Sequence, residues 1–582
     1  MKKQLVKRLL AGTLAVMMMA SLAACGGEDQ TQGGAADSGQ NQEAPAEGGQ
    51  DQEAPAEGGS QEQGDTGAPA AKPTAVSEIE INKAGTDATG NIDGSQEPEG
   101  IQPGTVFRYW TNYDIPLYAP WKDNRAAVLS YQIYDNLLIK YKGDRNDIRC
   151  NIAKDYQVSD DGLVWTFQLR EDVTFSDGCG LTAQDFIATW DVMQKEQPRP
   201  FASVDKYEAN GDYELVITLK APNPTFIYEL PTQSIYGVVC HEKLEQFGPD
   251  DNGSAVGCGA YYVESYETGS KFVLKAREDY WNEEKMPHIE TCELVIIPDE
   301  NTAMMGLMTG DLDCMNTVDI EVMNNLVAND ITLALIEDRE NPFWLNGSKV
   351  DCLKDIRVRE ALCHMVDWEA LSQLVYDGLY PHPNSYFTGD HVAEFSDKYT
   401  YDPEKGLSLL EEAGYKPEDI KFTILADPDF TNLEVAMVAQ FNELGLTGIT
   451  TETFDGATCY GMLKSGDYEC FPCHNGYDPE SPLTPFTMGL LEGGSQPCMF
   501  LKAVDEEAYN QAVELYNKAT TSPTVDEFNK NIIELEDLVQ EQCLALGGLQ
   551  VIRGYAFADH IRGAYISPVS AELQMCHLWI AE

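Results

Sequence analysis

The part of the chain that says most about the fold is one continuous run, residues 159–186, which reads SDDGLVWTFQLREDVTFSDGCGLTAQDF. It starts with turn residues and continues through residues 163–170, where bulky apolar side chains occupy every second position, as in a half-buried strand. A second turn, Ser176-Asp177-Gly178, precedes Thr182 and Asp185, whose spacing resembles a capping box at a helix start. The run therefore predicts a hairpin that leads into a helix, with Phe186, Trp190 and Met193 on one face.

Strand and helix patterns alternate along the rest of the chain. Short apolar runs predict strands at 213–219, 271–275 and 294–297. Helices are predicted after the cap Asp355, after Asp402-Pro403, and over 504–516 and 525–539. This alternation indicates a mixed α/β fold. The chain beyond residue 100 exceeds the size at which a single core stops growing, so at least two lobes are expected.

The N-terminus is typical of an exported protein. Four basic residues within the first eight precede an apolar run over 9–19, which is shorter than the roughly 20 residues that a spanning helix needs. The run ends in Leu22-Ala23-Ala24-Cys25, which resembles a lipobox and implies cleavage before Cys25 and lipid attachment to its thiol. An ordinary cleavage site followed by a chance cysteine is the alternative.

Residues 25–103 are rich in Gly, Gln, Glu, Ala and Pro and poor in large apolar side chains. Such a composition buries too little surface to offset the entropy of ordering, so a disordered acidic tether is predicted. The whole chain carries 96 acidic and 39 basic residues, a formal net charge of −57. This charge disfavours nucleic acid and anionic lipid as partners, and mildly favours cationic or zwitterionic solutes.

Fourteen of the fifteen cysteines follow Cys25. Their even number permits disulfides in an exported protein, but reduced, buried thiols fit the sequence equally well. Cys470-Phe471-Pro472-Cys473-His474 has the spacing of covalent haem attachment, with a local disulfide or two free thiols as the alternatives. No zinc-protease helix is present, since His241-Glu242 lacks a second histidine four residues on. We therefore predict neither a cofactor nor a metal site.

Several further motifs accompany the run at 159–186. They are Gly257-Cys258-Gly259-Ala260-Tyr261-Tyr262, Asp279-Tyr280-Trp281, Met308-Thr309-Gly310-Asp311-Leu312-Asp313, Asp355-Ile356-Arg357-Val358-Arg359-Glu360-Ala361-Leu362, Tyr401-Asp402-Pro403-Glu404-Lys405 and Glu412-Ala413-Gly414-Tyr415. In this order, the set resembles the family 5 extracellular solute-binding proteins, which serve ABC importers of dipeptides, oligopeptides and nickel.

This resemblance implies a two-lobed α/β fold of the periplasmic-binding-protein type, class II or cluster C, with a hinge and an extra small subdomain. The expected organisation is a signal peptide at 1–24, the tether at 25–103, lobe I at 104–298 with an insert at about 141–200, lobe II at 299–560, and a return to lobe I at 561–582. Most motif residues look architectural. We expect Arg357 and Arg359 to form structural salt bridges rather than to contact a ligand.

The resemblance also implies capture of a short peptide between the lobes. Peptide-binding relatives place an acidic residue against the ligand ammonium, and the corresponding stretch here makes Asp478 the candidate, with Tyr477 beside it. A turn role for Asp478, which precedes Pro479, is the alternative. Four further residues occupy places that line the cleft in relatives, or else belong to the core: Tyr109, Asn112, Trp344 and Asn346. No residue is identifiable from the sequence as the partner of a ligand carboxylate.

The expected partners are a peptide or other small solute, the permease subunits of an ABC importer, and the membrane through the lipid on Cys25. We expect a monomer at the extracellular face of the cytoplasmic membrane. A nickel chelate, haem or an oligosaccharide is the alternative ligand within the same fold. An exported hydrolase is a more distant alternative, because no Gly-x-Ser-x-Gly elbow or comparable catalytic motif is present. We predict that the chain is not an enzyme.

Overall fold

The computed structural model describes residues 75–82, 86–89, 97–122, 127–143, 147–231, 236–385, 387, 392–426, 430–473, 482–567 and 572–581. All of them belong to one compact unit, Pro73–Glu582. The predicted signal peptide, Cys25, Tyr477 and Asp478 lie outside the described residues.

The strands of the described part of the chain are numbered in chain order. They are β1 (Gln102–Thr111), β2 (Leu138–Lys140), β3 (Ile148–Cys150), β4 (Ala153–Val158), β5 (Val164–Leu169), β6 (Val204–Ala209), β7 (Glu214–Leu219), β8 (Tyr261–Glu267), β9 (Lys271–Ala276), β10 (Ile289–Ile296), β11 (Cys314–Thr317), β12 (Thr332–Leu345), β13 (Lys421–Ala426), β14 (Gly448–Thr453), β15 (Cys470–Pro472), β16 (Ala545–Phe557), β17 (Ile561–Arg562), β18 (Ile566–Ser567), β19 (Glu572–Leu573) and β20 (Trp579–Ile580).

The α-helices are numbered in the same way. They are α1 (Ala127–Ile133), α2 (Ala183–Glu196), α3 (Phe226–Glu229), α4 (His241–Phe247), α5 (Glu300–Thr309), α6 (Ile320–Ala328), α7 (Ile356–His364), α8 (Trp368–Val375), α9 (Pro403–Ala413), α10 (Thr431–Glu443), α11 (Gly456–Ser465), α12 (Leu501–Val504), α13 (Glu506–Thr520) and α14 (Val525–Glu541). Among the described residues, no helix combines the length and the apolar composition needed to cross a bilayer.

A ten-stranded mixed sheet organises the molecule. Its strand order is β14-β13-β15-β12-β16-β11-β1-β10-β9-β8. The two longest strands, β12 and β16, pair antiparallel at its centre, from Thr332 opposite Phe557 to Trp344 opposite Ala545. Two register shifts interrupt this pairing, one between Glu337 and Arg339 and one between Pro342 and Trp344. Such irregularities bend a strand and re-aim its side chains, so polar groups can collect at the centre of the sheet.

The run at 159–186 folds as the sequence predicts. β5 pairs antiparallel with β4 and β7 in a separate four-stranded sheet of order β4-β5-β7-β6. The carboxylate of Asp185 accepts hydrogen bonds from the backbone N–H of Thr182 at 2.7 Å and from the Thr182 hydroxyl at 3.1 Å. Helix α2 starts at Ala183, directly after Thr182. Phe186, Trp190 and Met193 are all buried. This small sheet extends to Leu219, beyond the predicted insert limit of about 200, because β7 completes it.

Buried apolar side chains of the described residues divide into two large cores, a smaller one and a small cluster of Leu483, Ala519, Phe528 and Ile532. The first core draws mainly on residues 107–296 and 561–578. The second draws mainly on 303–449 and 546–556, and the third gathers Trp344, Phe471, Phe486 and their neighbours. The central strands supply both large cores: Ile336 and Tyr555 belong to the first, Leu335 and Ile552 to the second. The chain therefore returns to the first core after residue 560, as a two-lobed arrangement requires.

Part of the predicted tether is folded against the rest of the chain. Val76 is buried in the second core, and Ile81 forms a parallel bridge with Leu335. The carboxylate of Asp87 accepts hydrogen bonds from the backbone N–H groups of Gly563 and Ala564. The expectation of disorder up to residue 103 is therefore wrong for residues 75–82, 86–89 and 97–103, the last of which lead into β1. The average composition of residues 25–103 did not predict these contacts, because a few apolar and acidic side chains suffice to hold a short segment against the rest of the fold.

The helix caps read from the sequence are present. Asp355 accepts the backbone N–H of Arg357 at the start of α7, and Gly414 ends α9 in the left-handed conformation with a φ of 87°. Arg357 forms the expected salt bridge, with Nη2 2.6 Å from the carboxylate of Asp355. Arg359, unlike the exposed Arg357, is buried, and it donates to the backbone carbonyls of Leu353, Lys354 and Gln542 instead. The prediction of a salt bridge was wrong for Arg359, whose guanidinium is satisfied by backbone carbonyls of the turn before α7 and of the residue after α14.

Candidate functional site

Two of the predicted ligand residues lie at the end of β12. Trp344 is buried in the third core, and its indole N–H donates to the backbone carbonyl of Cys473 at 2.8 Å. The backbone N–H of Cys473 in turn donates to the carbonyl of Pro342. Cys473 is the last described residue before 474–481, the stretch that contains Tyr477 and Asp478. Trp344 thus fixes the point at which the chain enters the predicted ligand-binding segment.

Asn346 holds the loop that follows β12. Its amide Nδ2 donates to the carbonyls of Gly466 at 3.2 Å and Tyr468 at 2.7 Å, and its Oδ1 accepts from the backbone N–H of Ser348. The side chain is fully buried. Because these partners use the hydrogen-bonding groups of Asn346, its part in this conformation is structural, and ligand contact stays a prediction.

The other two predicted residues lie on β1 and just beyond its end. Tyr109 is buried in the first core, stacked on Phe107, and its hydroxyl accepts a hydrogen bond from Nδ2 of Asn316 at 2.6 Å. Asn112 follows the strand and is exposed. The structure therefore places the predicted residues in separate surroundings, with Tyr109 in the first core and Trp344 in the third.

Tyr109 belongs to a polar network that the sequence reading missed. Oδ1 of Asn316 accepts a hydrogen bond from Nη1 of Arg553 at 2.8 Å. Nη2 of Arg553 and Nη1 of Arg339 both donate to Oδ2 of Asp338, at 2.7 and 2.6 Å. The five residues lie on the adjacent strands β1, β11, β16 and β12. They form a continuous chain of hydrogen bonds across the centre of the ten-stranded sheet, which we call the central arginine network.

The two arginines of this network retain unused hydrogen-bond donors. The Nε–H groups of Arg339 and Arg553 are both buried, and neither has an acceptor among the described residues. Both side chains remain partly accessible, at 17% and 22% of their full exposure. Burial disfavours the charged form of Arg553, but the neighbouring Asp338 outweighs it and raises the pKa further above its usual value. The guanidinium therefore stays charged, and the site offers positively charged donors to an anionic group.

The network lies where the two large cores meet. Tyr109 and Tyr555 belong to the first core, while the guanidinium of Arg339 lies 6.0 Å from the ring centre of Phe430, which belongs to the second. A polar, partly accessible group at the meeting of two lobes is the usual setting for a solute site. The sequence did contain a signal: the charged run 337–340 interrupts an otherwise apolar strand, and Arg553 stands alone in another. Charges inside apolar strands need a partner, structural or ligand.

The fold and this junction define a class: two-lobed solute-binding proteins of the periplasmic-binding-protein type. A family model, described as bacterial extracellular solute-binding proteins, family 5 Middle, matches residues 147–496. The chain belongs to this family of bacterial extracellular solute-binding proteins.

Curated relatives and solved structures agree with this assignment. The chain is 26% identical over 506 residues to heme-binding protein A of Haemophilus influenzae, covering 78% of this chain and 86% of that protein. It is 24% identical over 367 residues to the probable D,D-dipeptide-binding periplasmic protein DdpA of Escherichia coli, covering 60% of this chain and 69% of that one. The oligopeptide-binding protein AppA of Bacillus subtilis, solved in complex with a nonapeptide, superposes with a TM-score of 0.67 at 17% identity, covering 84% of this chain and 100% of that one. The predicted α/β two-lobed fold is confirmed, and the proteins in this comparison are binding proteins.

Proposed function

We propose that this chain captures short peptides outside the cell and delivers them to the permease subunits of an ABC importer. Family membership supports solute capture, and the peptide assignment draws on the relatives named for dipeptide and oligopeptide binding. The chain holds its ligand by closure of two lobes and changes no covalent bond. Its acidic surface accords with a zwitterionic solute.

The observation that carries the proposal is the central arginine network. A peptide carboxylate needs positively charged donors when it is taken out of water, and Arg339 and Arg553 both retain a buried N–H without an acceptor among the described residues. In this proposal the two arginines bind the C-terminal carboxylate. Asp478, with Tyr477 beside it, binds the ammonium at the other end, while Tyr109, Asn112, Trp344 and Asn346 shape or support the pocket.

A ligand-side experiment tests the carboxylate role without a variant. Isothermal titration with a tripeptide mixture and with the same mixture amidated at the C-terminus compares two ligands that differ only in that charge. Loss of a charge-assisted contact should weaken binding by about 2 to 5 kcal/mol, more than tenfold in affinity. Equal affinities would remove the arginines from the carboxylate site.

Variants test the two ends separately. Arg553→Lys keeps the charge but loses the forked geometry, and it should weaken binding of the free carboxylate without affecting the amidated peptide. Arg149→Lys, on an exposed arginine paired with Asp147, is the control. Asp478→Ala should weaken binding by about 2 to 5 kcal/mol when a buried ion pair is lost. An unchanged affinity would exclude Asp478 from the site.

Haem is a second candidate ligand, favoured by the similarity to heme-binding protein A, which extends over 78% of this chain. Its propionates are carboxylates and suit the same arginine pair. Native mass spectrometry of freshly purified protein separates the candidates, since a co-purified peptide and a haem differ in mass and only haem absorbs in the visible range.

We further propose that the protein is anchored by lipid on Cys25 at the extracellular face of the cytoplasmic membrane and acts as a monomer without catalytic activity. The lipobox-like sequence supports the anchor. Cys25→Ser should release the protein from the membrane fraction, and continued membrane retention of the variant would refute lipid anchoring. Incubation with peptides should yield no cleavage products.

A further inference from the structure

A cluster of metal-ligating side chains lies in the first lobe, away from the central arginine network. Asp177 and Cys179 come from the turn before α2, and Cys240 directly precedes α4. One ligand atom of each lies within 4.8 Å of the other two. The carboxylate of Glu242, in the first turn of α4, lies 3.8 Å from Sγ of Cys179. Two thiols and the carboxylate of Asp177 thus face one another across a gap between two elements, and the carboxylate of Glu242 lies beside Cys179.

The distances suit tetrahedral coordination. A zinc ion has bonds of about 2.3 Å to sulfur and about 2.0 to 2.2 Å to oxygen, which places neighbouring sulfur and oxygen ligands roughly 3.5 Å apart. Sγ of Cys179 lies 3.4 Å from Oδ2 of Asp177 and 3.8 Å from Oε2 of Glu242. Asp177, Cys179 and Cys240 need only small adjustments to surround one ion, and a rotation of the Glu242 side chain would bring its carboxylate to the fourth position.

The backbone already holds both halves of the cluster in place. In the turn, Oδ1 of Asp177 accepts the N–H of Cys179 at 3.0 Å, and the N–H of Ser176 donates to the carbonyl of Gly257 at 2.9 Å. On the other side, the N–H of Cys240 donates to the carbonyl of Val256, the residue before Gly257, at 2.9 Å. The two halves are thus attached to one short segment, and such pre-arrangement lowers the cost of assembling a site.

A second connection fixes the helix that carries Glu242. The carboxylate of Asp185 in α2 accepts the backbone N–H of His241 at 2.7 Å, and Nδ1 of His241 lies 2.7 Å from the same oxygen. The ring is therefore engaged on that side, which leaves the thiols and carboxylates as the donor set. Cys240 is buried, whereas the side chain of Asp177 is 21% exposed, so an ion can enter from solvent.

We propose that Asp177, Cys179, Cys240 and Glu242 form a structural site for a thiophilic divalent cation of the zinc class. Thiolates favour such ions over magnesium or calcium, which prefer all-oxygen sites. Four protein ligands leave no open position, as in structural rather than catalytic zinc sites. Binding releases the two thiol protons to solvent, and Lys243, with Nζ 3.4 Å from Asp177, offsets part of the remaining negative charge. The bound ion would fasten α4 to the turn before α2, independently of solute capture.

The test uses the full-length protein, purified in detergent with a phosphine reductant and stripped with a chelator. Titration with zinc, followed by dialysis and elemental analysis, should leave one equivalent bound. Cobalt in its place should give a sulfur-to-cobalt charge-transfer band in the near ultraviolet. Cys179→Ser, on a partly exposed residue, should reduce that band by at least half, because only Cys240 remains as a thiolate ligand, and Asp177→Asn should weaken zinc binding at least tenfold while circular dichroism shows an unchanged fold. Cys150→Ser, on an exposed thiol outside the cluster, should behave as the parent.

Three results would overturn the proposal. The first is no retained zinc in the parent protein. The second is equal zinc stoichiometry in the parent and in Cys179→Ser, which would place the ion elsewhere, for example at Cys470 and Cys473. The third is a Cys179–Cys240 disulfide in protein isolated without reductant, found by peptide mass mapping, because that would make the pair a covalent link rather than a metal site.

Discussion

Glu536 offers a quantitative test of how a buried carboxyl group affects the stability of this protein. It lies in α14 with 1% of its surface exposed, and its Oε2 accepts the backbone N–H of Ala393 at 2.8 Å. Burial raises its pKa from 4.5 to about 8, although the hydrogen bond from Ala393 lowers it. The side chain is therefore protonated in the folded protein at neutral pH, whereas the unfolded chain ionises it above pH 4.5.

The sign of the pH dependence follows from this difference. Between the two pKa values the folded state binds one more proton than the unfolded state, so raising the pH destabilises the fold. With the pKa of 4.5 unfolded and about 8 folded, this one group should lower the free energy of unfolding by roughly 3 to 4 kcal/mol between pH 5 and pH 8. Glu536→Gln keeps the shape without the charge. It should change stability little at pH 5 and stabilise the protein by several kcal/mol at pH 8.

Guanidinium chloride unfolding, followed by circular dichroism at each pH unit from 5 to 8, measures the effect. The salt screens the exposed charges of this acidic chain but leaves a buried group largely unscreened, which isolates the contribution of Glu536. Glu534→Gln, on the same helix but half exposed and 3.9 Å from Lys530, is the matched control and should follow the parent. If Glu536→Gln loses as much stability between pH 5 and pH 8 as the parent does, the assignment of a protonated buried glutamate is refuted.

Three further changes test the packing. Gly257→Ala places a Cβ 1.9 Å from the backbone carbonyl oxygen of Ile133, so we expect a loss above about 4 kcal/mol, seen as insoluble expression; a normal melting temperature would contradict this contact. Asn346→Ala leaves the buried carbonyls of Gly466 and Tyr468 without their donor, so it should lower the free energy of unfolding by roughly 2 to 4 kcal/mol, measured by thermal unfolding. Asn112→Ala, on an exposed residue, is the control and should leave that free energy almost unchanged. Asp87→Ala removes the acceptor for Gly563 and Ala564, so limited proteolysis should cut near residue 87 faster while the melting temperature stays unchanged; identical digestion rates would show that Asp87 does not hold the segment.

The sequence predicted local structure correctly where the interactions that stabilise an element are made by residues within a few positions of one another. The capping pair Thr182 and Asp185, the cap Asp355 and the terminator Gly414 each act within one turn of helix, and each is present in the structure. Alternation of apolar residues predicted β5 because its two faces differ in burial, a property of neighbouring positions. The family assignment succeeded for a related reason: a long ordered set of turn and cap residues is a pattern along the chain.

Contacts between distant residues were decided by the tertiary structure alone. Arg339 and Arg553 are far apart in sequence, and only the antiparallel pairing of β12 with β16, with its register shifts, brings both guanidiniums to one oxygen of Asp338. Cys179 and Cys240 meet because two segments bind the same backbone at 256–257. The sequence by itself thus determined the family and the local elements, because these depend on residues that are close together along the chain. The tertiary structure decided which charged side chains lie together. β12 and β16 are distant in the sequence, and their alignment is fixed only when the apolar cores pack around them.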